Sequence, residues 1–192
     1  FSMIGMHNIQ NALATIATGI ELKIPLKKIK NTLKNFTGVQ RRFQKVGKYK
    51  STTIIDDYGH HPVEINSALG AARLLAPKTK IIAIFQPHRY SRLRDLFDEF
   101  CSSFNNADHV LLLDVYAAGE KPIRNFESNN LEKGLANYGH KNVLYIKDHN
   151  LLAKYLLEII QPNDLIICLG AGSITKIANS LEEELKNEDK HI

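Results

Sequence analysis

Apolar residues recur along the chain with two alternating periods. Ile9, Ala12, Leu13, Ile16, Ala17 and Ile20 fall at helical spacing after Gly5 and predict a helix from His7 to about Leu22. Pro25 opens a second helix, with Leu26, Ile29, Leu33 and Phe36 on one face and Lys27, Lys28, Lys30 and Lys34 on a wet one. Residues 38–43 read as a hinge, and Arg41-Arg42-Phe43 leads into a strand that turns at Gly47-Lys48 and returns as Tyr49 to Asp57. From there the order is regular: helix 62–76, strand 80–86, helix 91–104, strand 109–114, helix 128–138, strand 142–146, helix 150–160, strand 164–169 and helix 173–187. Strict alternation predicts an α/β three-layer domain, a mostly parallel six-stranded sheet with one antiparallel edge strand, preceded by a short helical segment. The tail 187–192 reads as disordered.

The ionisable residues gather where strands end. The β-branched run Thr53 to Ile55 enters Asp56-Asp57-Tyr58-Gly59-His60-His61, and Pro62 then starts a helix carrying Val63, Ile65, Ala68, Leu69 and Ala72. In open parallel sheets ligands bind at that carboxyl edge. Two readings stand: a solvated turn, or a ligand-facing edge where adjacent carboxylates and imidazoles need a partner to offset their burial. A metal site is disfavoured, because no third distant ligand has an obvious spacing.

A second cluster, Gln86-Pro87-His88-Arg89-Tyr90-Ser91-Arg92-Leu93-Arg94-Asp95, follows strand 80–86. Arg89, Arg92 and Arg94 crowd a helix start, where cations are disfavoured unless an anion joins them. Helical spacing offers Asp98 to Arg94 and Asp95 to Arg92 as ion-pair partners; Arg89 and His88 have none. The segment 169–175 shows the first glycines of a dinucleotide fingerprint, but Thr175 stands where the third would be, so a tight turn with N–H groups open to an anion is the better reading. Loop 116–122 walls the same cleft. Near the chain start His7 and Asn11 stack one turn apart, and Asn8 reads either as a cap or as a ligand contact.

Composition narrows the classes. A length of 192 residues with 44% hydrophobic and 23% charged content predicts one full domain plus an appendage. The net charge of +5 is not gathered into an arm with interleaved aromatics, which argues against nucleic acid, and a small anionic substrate fits the charge as well. Cys101 and Cys168 sit in separate apolar runs and read as reduced core residues of a cytoplasmic protein. No apolar run approaches the roughly 20 residues that span a membrane. The opening Phe1-Ser2-Met3-Ile4-Gly5 has no signal-peptide pattern and reads as the interior of a longer protein. A phosphate loop of the form G-x4-G-K-[ST] is absent, since Arg42 precedes Gly47-Lys48 where the first glycine is needed.

Six segments in order, 7–12, 38–43, 56–62, 86–95, 114–120 and 170–175, together resemble the Mur ligase family. The resemblance implies a Rossmann-like C-terminal domain over 39–192, preceded over 1–38 by the closing helices of a central ATPase domain. It implies ATP-dependent ligation through an acyl phosphate in peptidoglycan precursor synthesis, with UDP-N-acetylmuramate, L-alanine and ATP as substrates. Recycling members that join a tripeptide and a non-catalytic nucleotide-binding or anion-binding module are the alternatives. By the same resemblance His7, Asn8, Asn11, Arg41, Asp56 and Asp57 face the nucleotide. Tyr58, His60, His88, Arg89 and Arg92 hold the amino acid and acyl phosphate, with His60, His88 and Arg89 catalytic. The phosphate loop and the Mg2+ ligands are then expected in the central domain, and the isolated fragment is expected to be inactive.

Overall fold

The computed structural model describes residues 5–190, the His7 side chain excepted. The chain divides into two compact units between Gln40 and Arg41. In the first, α1 (Met6–Glu21) and α2 (Leu26–Asn35) form a helical pair. Gly5, at φ 103°, holds the N-cap of α1, so Asn8 is an interior residue of its first turn rather than the cap. Gly19 lets the helices meet: a Cβ there would lie 2.7 Å from Ile29 Cδ1. Ile9, Leu13, Ile20 and Leu26, on the apolar stripe, remain at least half exposed.

The second unit is a six-stranded sheet. β1 (Gln44–Tyr49) pairs antiparallel with β2 (Thr52–Asp57). Then come α3 (Pro62–Leu75), β3 (Ile81–Phe85), α4 (Tyr90–Asp95), α5 (Phe97–Ser102), β4 (His109–Leu112), α6 (Ser128–Asn137), β5 (Val143–Tyr145), α7 (Leu152–Ile159), β6 (Leu165–Leu169) and α8 (Ile174–Asp189). The sheet order is β1-β2-β6-β3-β4-β5, with every pair except the first parallel. Period-two alternation sends Ile81, Ala83 and Phe85 to a core with α3, α5 and α6, and Ile82 and Ile84 to a core with α7 and α8. With both faces covered, the central strands are apolar throughout, as parallel strands require. β6 is the last strand in the chain and inserts between β2 and β3. Its following loop therefore reaches the sheet edge between the two ionisable clusters, at the point where the crossovers change faces.

The elements depart from the hydrophobic pattern most at the hairpin turn, within helix 91–104, at the end of β4 and at the end of α8. The hairpin turns at Lys50-Ser51, with Lys50 at φ 50°, while Gly47 is absorbed by an irregularity in the β1 register beneath Glu182. The predicted helix 91–104 bends at Leu96 (φ −124°, ψ 29°). Helical hydrogen bonds continue through it, from Leu96 N–H to Arg92 O and from Phe100 N–H to Leu96 O, so the apolar period conceals the bend. β4 ends two residues before the predicted limit. Helix α8 extends to Asp189, which pairs with Lys50 at 2.9 Å, so residues 187–189 are ordered. Residues 191–192 lie outside the description.

Candidate active site

Asp56 and Asp57 are neighbours in sequence and opposites in space, because successive strand residues face opposite sides. Both are buried. Asp57 accepts from Gly59 N–H at 2.7 Å and Phe43 N–H at 2.8 Å. Burial pushes its carboxyl above the ordinary value, and the two N–H bonds oppose that rise only in part. Asp56 Oδ2 accepts from the Thr175 hydroxyl at 2.5 Å and lies 3.8 Å from Arg41 Nε. Asp56 Oδ1 and Arg41 Nε are buried without a hydrogen-bond partner. Arg41 itself, at φ 59°, donates from Nη2 to Gly170 O and stacks 4.7 Å over the Tyr58 ring.

The His60-His61 doublet divides into two roles. His61 is the N-cap of α3: its Nδ1 accepts from Val63 N–H, and Glu64 reaches back to the N–H groups of His60 and His61. Burial pushes Glu64 up, but those N–H groups, with His60 and Arg42, hold it below its ordinary value. His60 Nδ1 lies 3.0 Å from Tyr58 O and 3.4 Å from Glu64 Oε2. Both neighbours are acceptors, so Nδ1 carries the proton and Nε2 is left as the acceptor of the neutral ring.

At the end of β3 a parallel bridge joins His88 to Tyr116: Tyr116 N–H donates to Pro87 O, and Arg89 N–H donates to Tyr116 O. Arg89, exposed and at φ 71°, caps α4. Glu120 accepts from Ser91 N–H at 2.9 Å and Ser91 Oγ at 2.6 Å, so a carboxylate from the next loop offsets the cations crowding that helix start. Arg92 Nη1 donates to His88 O at 3.1 Å and lies 3.2 Å from His88 Nδ1. A guanidinium only donates, so Nδ1 is the acceptor and the neutral His88 ring carries its proton on Nε2. Burial, then Arg92, His60 and Arg89, hold His88 below its ordinary value. The helical ion pairs expected from spacing do not form as expected: Arg92 bonds His88 rather than Asp95, and Arg94 pairs with Asp95 at 2.7 Å rather than with Asp98. The bend at Leu96 separates Arg94 from Asp98, whereas Arg92 shares α4 with Asp95 but is held by His88 instead.

The two bends open on one mouth. Ring centroids run from Tyr58 to His60 at 5.2 Å, His60 to His88 at 5.8 Å and His88 to Tyr116 at 5.4 Å. The third loop joins them: Gly170 N–H donates to Asp57 O, and Gln86 Oε1 accepts from Ile174 N–H while Nε2 donates to Ser173 Oγ. Gly170, at φ 148°, admits no side chain, since a Cβ would meet Gln86 O at 2.8 Å. Of the N–H groups in the turn 169–175 expected to be open to an anion, that of Ile174 is therefore already used. Sequence reasoning missed Gln86, Glu120 and Thr175 as organisers; the departure of Thr175 from the glycine fingerprint was the available signal for one of them. Asn8 and Asn11 belong to the first unit, Asn8 buried and Asn11 exposed, and the His7 side chain lies outside the description. Among the described residues no three His, Cys, Asp or Glu side chains are grouped to hold a metal ion, and no helix is long and apolar enough to cross a membrane.

Residues 41–172 match the family model described as Mur ligase, glutamate ligase domain. The chain is 49% identical over 183 residues to UDP-N-acetylmuramate–L-alanine ligase of Rhodospirillum centenum, covering 95% of this chain and 38% of that relative. The same-named enzyme of Paramagnetospirillum magneticum is 50% identical over 183 residues, with the same coverage. The crystal structure of UDP-N-acetylmuramate-alanine ligase from Thermotoga maritima superposes with a TM-score of 0.78 at 28% identity, covering 97% of this chain and 39% of that one. The chain thus spans well under half the length of the relatives it matches.

Proposed function

Because the chain belongs to the Mur ligase family, by its match to the glutamate ligase domain, we propose that it is the C-terminal part of an ATP-dependent ligase joining L-alanine to UDP-N-acetylmuramate in peptidoglycan precursor synthesis. The observation that carries this reading is the meeting of His60 and His88, 5.8 Å apart, with Arg92 bonded to His88. In the reaction the lactyl carboxylate takes the γ-phosphoryl group of ATP, releasing ADP. The alanine amine then attacks the acyl phosphate, and phosphate leaves as the amide forms.

The opposite tautomers suit different tasks. His60 Nε2 takes the proton the amine loses, and Glu64 stabilises the resulting imidazolium. His88 Nε2–H donates to the developing oxyanion, while Arg89 and Arg92 bind the alanine carboxylate and acyl phosphate. Tyr58, stacked under Arg41, walls the site. The unpartnered polar atoms of Arg41 and Asp56 support a nucleotide contact, with Asp57 holding the turn beside them. His7, Asn8 and Asn11 are proposed to reach the adenine.

The first unit is read as the closing helices of the central domain, supported by the exposed apolar stripe at Ile9, Leu13 and Ile20. That domain would supply the phosphate loop and the Mg2+ that ATP chemistry uses. The buried thiols Cys101 and Cys168 support a cytoplasmic location.

Phosphate release driven by L-alanine, measured in a ligase of the relatives' full length carrying this sequence, tests the assignment. The 192-residue chain alone is expected to be inactive. His60→Ala is expected to lower kcat about a hundred-fold or more with little change in alanine KM. Normal turnover in that variant removes the base from His60.

A further inference from the structure

We propose that Glu120 is a positioning residue for the reaction, a helix cap supplied by the next loop that fixes Arg89 and Arg92 toward the amino acid and the acyl phosphate; the inference rests on the ligase reading above. Helix α4 starts without a cap of its own. Its N-cap residue is Arg89, whose guanidinium only donates and makes no side-chain cap bond. The N–H that a Ser or Asp cap would take, that of Ser91 at the second helical position, donates instead to Glu120 Oε2 at 2.9 Å, from 29 positions further along the chain. Oε1 accepts from the Ser91 hydroxyl at 2.6 Å, so both carboxylate oxygens hold one residue.

The loop's backbone brings the carboxylate to that place. Past the ends of β3 and β4 the two chains stay paired: Leu113 N–H donates to Phe85 O, Tyr116 N–H to Pro87 O and Arg89 N–H to Tyr116 O. Ala118 and Gly119, at φ 49° and 87°, then turn the chain back, and Glu120 N–H closes the turn on Ala117 O at 3.0 Å. Arg89 is thus held on both sides by one loop, its own N–H by Tyr116 and the residue two further on by Glu120. It stands at φ 71°, a conformation that a residue with a Cβ keeps only where its surroundings impose it. Ser91 is followed directly by Arg92, which reaches back to His88 O and Nδ1. One carboxylate therefore sets two guanidinium groups and, through Arg92, the His88 ring. Glu120 is half buried and belongs to neither apolar core, so its removal leaves the packing of the sheet intact.

The test uses a ligase of the relatives' full length carrying this sequence, with kcat and the KM of each substrate measured separately. In Glu120→Ala, kcat/KM for alanine is expected to fall about a hundred-fold, with alanine KM up about ten-fold, while KM for ATP and for UDP-N-acetylmuramate stays within about two-fold. Glu120→Gln is expected to keep alanine kcat/KM within about five-fold of wild type, because its amide oxygen still accepts from the Ser91 N–H and its NH2 donates to the Ser91 hydroxyl. Ser91→Ala should cost about three-fold by itself and almost nothing in the Glu120→Ala background, where its partner is already gone. An unchanged alanine kcat/KM in Glu120→Ala overturns the positioning role, and so does a parallel rise of all three KM values, which a merely structural loss would give. Glu120→Gln as impaired as Glu120→Ala also refutes it, since charge rather than geometry would then be acting. If Glu120→Ala does not fold, Ser91→Ala decides, and wild-type alanine kinetics there refute the proposal. A wild-type enzyme that does not ligate alanine removes the ligase reading and the positioning role together; one that ligates alanine and fails the variant tests removes the positioning role alone.

Discussion

Removing the Asp57 carboxylate should loosen the hinge entry and the site bend at once. It is 6% exposed and is the partner of two N–H groups, Phe43 at 2.8 Å on the strand entry and Gly59 at 2.7 Å between Tyr58 and His60. In Asp57→Ala both donors lose that acceptor inside the protein, at about 1–3 kcal/mol each. Part of this is offset, because the carboxylate itself is disfavoured by burial, as its raised pKa records. We expect a net loss of about 2–4 kcal/mol, toward the lower half of the summed range. For a chain of this size that lowers Tm by about 5–15 °C. Asp57→Asn keeps one acceptor oxygen but turns an NH2 group toward the other N–H, so it should fall between wild type and Asp57→Ala. Thermal and urea unfolding of the 192-residue chain, followed by far-ultraviolet circular dichroism, give both values. If Asp57→Ala melts within about 1 °C of wild type, the two N–H groups do not depend on this carboxylate and the account of the bend fails.

Other consequences can be measured on the same chain. The His88 imidazole should titrate below its ordinary value of 6.5, and Arg92→Met should move it upward only in part, since burial, the larger cause, remains. NMR titration of the ring protons checks both directions. Because the folded form binds this proton less readily than the unfolded one, the associated stability is present above 6.5 and is lost as pH falls through the folded value. Arg73 donates to Ala76 O, Thr79 O and Asn106 O and pairs with Asp108 at 2.7 Å, tying α3 to the starts of β3 and β4. Arg73→Met should cost about 2 kcal/mol in urea unfolding. Gly134→Ala places a Cβ 2.6 Å from Cys101 Sγ and 2.9 Å from the Phe97 ring, and should destabilise by about 1–3 kcal/mol. Gly70→Ala, in α3 with nothing within 4 Å, should instead stabilise by about 0.5–1 kcal/mol. Equal effects at the two glycines would refute the packing assignment.

Both ionisable clusters were legible in one dimension because each follows an apolar strand and precedes an amphipathic helix. What the string of letters leaves open is which members of a cluster are consumed locally. His60 and His61 look equivalent until the α3 cap claims His61, and Asp56 and Asp57 look like a repulsive pair until strand alternation sends them to different partners. The arginine ion pairs went astray for two local reasons: the chain bends at Leu96 between Arg94 and Asp98, and His88 claims the Arg92 guanidinium ahead of Asp95.

Periodicity determined the layers, the strand polarity and the edges at which chemistry gathers, because burial on one face or two leaves a direct imprint on residue order. Tertiary structure alone decided that β6 inserts between β2 and β3, and that Thr175, Gln86 and Glu120, up to 119 positions from their partners, hold the site in shape. Those contacts are hydrogen bonds between residues distant in sequence and of no particular spacing. They exist only once the sheet has brought distant strand ends together.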